Sequence, residues 1–99
     1  MIYFGIDYGD TVGFSVVTEK GEINLIGSSK DSQVCIEQLD LALRYYPHIN
    51  VVIENQIGVI SERYNLFIDK VKLLCELNEI KLIEISPHVW KNSYVNKIK

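Results

Sequence analysis

Two acidic residues of this sequence end apolar runs, and their positions indicate chemistry rather than solubility. Asp7 ends the opening run IYFGID, and Glu54 ends the later run VVIE. A carboxylate in such a run is costly unless it is paired, hydrogen-bonded or bound to a cation. A turn role is the alternative for Asp7, because aspartate is common in turns, and a solvent-facing strand end is the alternative for Glu54.

The spacing of apolar residues predicts the element order βββαβαβ. Two-residue alternation near the start predicts a three-stranded meander, and helical spacing predicts two later helices. Asp31 or Ser32 is the expected cap of the first helix, which Pro47 ends. The predicted strands are 1–7, 14–18, 23–28, 51–54 and 81–85, and the second helix covers about 59–78.

This order predicts an α/β domain with a mixed sheet of order 3-2-1-4-5 and helices on the sheet faces, since crossovers are right-handed. Asp7 and Glu54 then end neighbouring parallel strands, which lie about 4.8 Å apart. Two carboxylates that close favour a cation between them. Oxygen ligands suit Mg²⁺ or Mn²⁺, and such an ion can activate water for phosphodiester cleavage.

Composition and charge narrow the class of protein. The 99 residues predict a single domain over 1–99, and the net charge of −3 argues against nucleic-acid binding by bulk charge alone. The charge is uneven, because residues 81–99 carry four lysines and a single acid. This basic end is either a surface tail or part of a basic region in a longer protein.

The same composition predicts no membrane association. No apolar stretch approaches the roughly 20 residues of a membrane helix, and the start does not resemble a signal peptide. We expect a cytoplasmic protein, or one in the host cytoplasm if its source is a virus. Cys35 and Cys75 are expected to be small core residues in a reducing compartment.

Three short motifs resemble those of RuvC-type Holliday junction resolvases in the ribonuclease H-like superfamily. The opening GIDYGDTVGFSVV resembles that family's first acidic strand, and VVIENQ resembles its second. The later ISPHVWK resembles a segment with a strand end, a proline and a lysine near nucleic acid. The motifs occur in the family's order and span nearly the whole chain, and βββαβαβ is also the order of the superfamily's first half.

The resemblance implies a ribonuclease H-like fold and a divalent-metal-dependent endonuclease that acts on branched or junction DNA. It implies that Asp7 and Glu54 are catalytic metal ligands and that Lys91 approaches the DNA backbone. Asn55 and Gln56 either orient Glu54 or are ordinary loop residues. The family also supplies two acids from a C-terminal helix, which this sequence lacks. We therefore expect the N-terminal core of such a protein, with weak or no cleavage by this chain alone.

Two other functions compete with this interpretation. The segment DYGDT also fits the phosphate turn of actin- and sugar-kinase-type nucleotide-binding domains, although those proteins enclose ATP between two such domains. A non-catalytic module for DNA binding or dimerisation is the second alternative. Its support is the wide apolar stripe of the predicted helix 59–78, where Leu66, Leu73 and Leu77 indicate either a buried helix or a homodimer surface.

Overall fold

The computed structural model describes residues 1–54 and 61–85, and these residues form one sheet with two helices. The strands are β1 (Ile2–Asp7), β2 (Val12–Thr18), β3 (Ile23–Ser29), β4 (Ile49–Glu54) and β5 (Leu82–Ile85). The helices are α1 (Ser32–Tyr45) and α2 (Glu62–Leu77). The sheet order β3-β2-β1-β4-β5 confirms the predicted fold class, with antiparallel pairing in the meander and parallel pairing from β1 to β4 and β5.

Both helices begin at a capping side chain. The carboxylate of Asp31 accepts a hydrogen bond from the Gln33 N–H at 3.0 Å, which confirms the first of the two caps predicted for α1. The predicted start of the second helix near residue 59 is wrong. Ser61 is extended, with φ −83° and ψ 153°, and its Oγ accepts from the Tyr64 N–H at 3.0 Å, so the helix begins only at Glu62.

The end of α2 turns the chain back toward the sheet. The Ile80 N–H donates to the Cys75 carbonyl at 2.8 Å, and the Glu79 N–H donates to the Glu76 carbonyl at 3.1 Å. This pair of bonds is a Schellman motif, which needs a left-handed residue after the cap. Glu79 takes that conformation with φ 57°, a position that glycine usually occupies.

The hydrophobic core lies on one face of the sheet. Alternate residues of β1, β2 and β4 are buried there and pack in one cluster with both helices. The strand members of this cluster are Phe4, Ile6, Val12, Phe14, Val16, Ile49, Val51 and Ile53. The two helices therefore share one face, because successive right-handed crossovers that continue in one direction across the sheet stay on the same side.

The two cysteines belong to this core, as predicted. Cys35 in α1 and Cys75 in α2 are buried and free. Burial raises the pKa of the Cys35 thiol to about 12 and that of the Cys75 thiol to about 11. Both are therefore neutral packing residues at ordinary pH.

Neither described helix is long and apolar enough to cross a membrane.

Candidate metal centre

Parallel pairing between β1 and β4 brings the two predicted acids to matching positions. The paired residues run from Ile2 with Ile49 to Ile6 with Ile53. Asp7 and Glu54 are the next residues of their strands. Because Ile6 and Ile53 are buried on the helix face, alternation directs both acids to the opposite face. Asp7 is exposed there and Glu54 is half-buried.

The face that carries the acids has an open depression next to Asp7. Its volume is about 510 Å³, and β1, β2 and β3 all contribute to its lining. Gly5 and Gly13 contribute no side chain, and Ser15 and Ser28 contribute hydroxyl groups. A methyl group on Gly13 would lie 3.8 Å from the Cβ of Asp7, which is an ordinary van der Waals distance, so the space above Gly13 would hold a methyl group without a clash.

These depression residues were not singled out by the sequence analysis. A signal for them was available, because Gly5 lies two residues before Asp7, and Gly13 and Ser15 pair with Asp7 and Gly5 across β2. Residues two apart on a strand share a face. Once the acids are assigned to a face, this rule also assigns their neighbours. The residue at Ser28 follows in the same way, since it pairs with Gly13.

The remaining predicted site residues are placed less fully. Asn55, Gln56 and Lys91 lie outside the described residues, and their roles stay predictions. Asp10 is described, and it is an exposed residue of the turn between β1 and β2. Within residues 1–54 and 61–85, no group of three or more His, Cys, Asp or Glu side chains converges. Asp7 and Glu54 are therefore a candidate pair rather than a closed set of ligands.

The described part of the chain is acidic overall. It contains all thirteen Asp and Glu residues of the sequence but only seven of its ten Lys and Arg residues. Two of these basic residues, Lys30 after β3 and Arg63 in the first turn of α2, lie at the end of the sheet where β1 and β4 also end. There the Arg63 guanidinium donates to the Lys30 carbonyl at 3.0 Å. A polyanion near the two acids would therefore need a bound cation or these few local basic groups.

The fold is similar to that of two solved structures of a Thermus thermophilus protein. One is RuvC in complex with a Holliday junction substrate, with a TM-score of 0.71 and 14% identity. The other is a second structure of RuvC, with a TM-score of 0.64 and 16% identity.

These similarities cover 89% and 88% of this chain but only 66% and 64% of the two RuvC chains. No protein-family model and no curated protein matches the sequence. At this level of identity the similarity establishes the fold. The chain has a RuvC-like, ribonuclease H-like fold and spans about two thirds of the RuvC chains it matches.

Proposed function

We propose that this chain is the core of a divalent-metal-dependent endonuclease that cleaves phosphodiester bonds in branched DNA. The observation that carries the proposal is the shared position of Asp7 and Glu54, which follow the last paired residues of two adjacent parallel strands on one face. The RuvC-like fold supports it, since a solved structure of that fold is described as a complex with a Holliday junction. The carboxyl ends of parallel strands are also where ligand sites of α/β sheets gather.

The two carboxylates fit a hard divalent cation. Aspartate and glutamate oxygens are preferred ligands of Mg²⁺ and Mn²⁺, and such ions keep several waters and bind phosphate oxygens. Asp7 and Glu54 would hold the ion on the open face. When bound, the ion supplies an activated water and Lewis acidity for phosphodiester hydrolysis.

The chain's own residues would then receive the substrate. The depression beside Asp7 admits a phosphate because Gly5 and Gly13 lack side chains, and Ser15 and Ser28 supply hydroxyl donors along its lining. The acidic surface of the described residues makes direct phosphate contacts few. We therefore assign part of the DNA contact to Lys91 and its basic neighbours in the sequence.

Cleavage assays test this function directly. The chain, and the longest natural protein that contains it, are incubated with four-way junction DNA and with plain duplex, in Mg²⁺ or Mn²⁺. The proposal predicts metal-dependent cleavage with preference for the junction, and it predicts that Asp7→Asn abolishes it.

Asp10→Asn is the matched control, because it removes a nearby exposed carboxylate that is not assigned to the site. Full activity of Asp7→Asn, or no cleavage by any protein tested, would contradict the nuclease assignment. Measurable ATP binding by the chain would instead favour the actin- and sugar-kinase-type alternative.

We also propose that the chain forms a homodimer through α2. Leu66, Leu73 and Leu77 lie along one side of this helix and are 59%, 56% and 72% exposed. Exposed apolar side chains aligned on one helix are typical of a partner surface. Lys70 and Glu76 lie three residues to either side of Leu73. Two antiparallel copies of α2 that cross at Leu73 would therefore place Lys70 of one against Glu76 of the other.

Sedimentation analysis of charge variants tests this arrangement. Leu73→Lys should give a monomer, while Ile26→Lys, which alters a similarly exposed apolar residue on β3, should leave the dimer intact. Lys70→Glu and Glu76→Lys should each weaken the dimer, and the two together should restore it. A monomeric wild-type chain would contradict the proposal, and so would a dimer that none of these substitutions on α2 weakens.

A further inference from the structure

Tyr8, the residue after Asp7, packs on the helix side of the sheet. It continues the alternation of Phe4 and Ile6 and is half-buried. Its ring meets the Tyr64 ring edge-on, with centroids 5.1 Å apart and an interplanar angle of 76°. It also contacts the Phe67 ring, with centroids 5.0 Å apart and an interplanar angle of 37°. Tyr8 is thus held by packing on the helix side of the sheet, whereas its neighbour Asp7 is exposed on the opposite side.

The two α2 rings that Tyr8 contacts are themselves held in place. Tyr64 and Phe67 are 7% and 3% exposed. The Tyr64 N–H donates to the capping Ser61 Oγ at 3.0 Å, so the contact lies in the first turn of α2. This helix is the element that follows Glu54 and β4 along the chain. The Tyr8 ring therefore joins the end of β1 to the element after β4, beyond the last paired residues of the two strands.

We propose that Tyr8 is a positioning residue for the Asp7 carboxylate, an inference that rests on the proposed metal site. Pairing of Ile6 with Ile53 fixes the backbone before Asp7, and the packed Tyr8 ring fixes the backbone after it. Gly13, which pairs with Asp7 across β2, has no side chain with which to hold the carboxylate. The contacts on either side of Asp7 therefore set the direction in which its side chain leaves the strand.

Mn²⁺ affinity measured on the 99-residue chain tests this role. Binding is followed by the broadening of amide NMR signals, which suits weak sites. Tyr8→Ala should weaken Mn²⁺ binding by about tenfold, while Tyr8→Phe, which keeps the ring, should bind within about twofold of wild type. Leu43→Ala is the control, because it truncates a buried α1 residue of the same core and should leave Mn²⁺ affinity unchanged.

Four outcomes would overturn the inference or the proposed function on which it rests. Unchanged Mn²⁺ affinity in Tyr8→Ala would overturn the positioning role, and so would an equal loss in Leu43→Ala. A wild-type chain that binds no Mn²⁺ would contradict the proposed metal site instead. Hydrogen exchange then decides the positioning role alone, since Tyr8→Ala should speed exchange of the Asp7 amide at the end of β1 beyond the global change and Leu43→Ala should not. Equal protection of this amide in both variants would overturn it.

Discussion

Two strand glycines on opposite faces of the sheet should respond oppositely to the same substitution. Gly27 on β3 pairs with Phe14, and a methyl group on Gly27 would lie 2.8 Å from Cζ and 2.9 Å from Cε2 of that ring. Carbon atoms pack best at about 3.5–4.0 Å, so the ring would have to move by about 0.7 Å. Phe14 is only 7% exposed, and its ring lies parallel to that of Phe4 with centroids 6.2 Å apart, which limits that movement.

Gly27→Ala should therefore destabilise the protein by about 1–2 kcal/mol. Overpacking costs about 1–3 kcal/mol, and the lower chain entropy of unfolded alanine offsets about 0.4–1 kcal/mol. For a domain of this size the melting temperature should fall by roughly 5–15 °C. Gly13→Ala, with its nearest neighbour at 3.8 Å, should range from neutral to about 1 kcal/mol more stable. Neither glycine has a positive φ, so backbone strain does not separate them.

Urea denaturation of the two variants gives the comparison. Two further variants, Phe14→Leu alone and Phe14→Leu combined with Gly27→Ala, identify the cause, because removing the ring should remove most of the cost of the added methyl group. Equal stability of Gly27→Ala and Gly13→Ala would contradict the predicted clash with the Phe14 ring. A cost of Gly27→Ala that persists without the Phe14 ring would also contradict that clash.

Three further stability predictions follow from local geometry. Glu79→Gly should stabilise the protein by about 0.5–1 kcal/mol in urea denaturation, because the left-handed conformation disfavours side chains; no gain would contradict the assigned cap. Asp31→Ala should cost about 1 kcal/mol in the same assay and Asp31→Asn much less. The free energy of unfolding should fall as pH rises above 9, since unfolded thiols ionise there while burial raises the pKa of Cys75 to about 11 and of Cys35 to about 12. Replacing both cysteines by alanine should flatten that decline, and an unchanged slope would contradict this prediction.

Local patterns predicted the element types and the strand order because each element carries its own signal. Alternation identified β1, and the positions of Asp31 and Pro47 bracketed α1. Sequence order and the handedness of crossovers then fixed the sheet. Element ends were less accurate, since they depend on partners. β4 was predicted to begin at Val51 but begins at Ile49, because Ile49 pairs with Ile2 of β1. No local residue pattern predicts that pairing.

The position of the site was predictable because it follows from the alternation of residues along two neighbouring strands. The matched ends of Asp7 and Glu54 follow from adjacent parallel strands, which the sequence order implies. The Tyr8 contact with α2 was not predicted, because it depends on how the first turns of that helix pack against the end of β1. The sequence placed the start near residue 59, whereas the capping by Ser61 moves it to Glu62.

The most direct test of the shared metal site is a double-mutant cycle for Mn²⁺ binding, with Asp7→Asn, Glu54→Gln and their combination. If the two carboxylates share one cation, each single variant should weaken binding by at least about tenfold, and the double variant should be little weaker than the worse single one. Asp10→Asn should bind as the wild type does. Independent, additive losses, or Mn²⁺ affinity that is indifferent to either residue, would contradict the shared site.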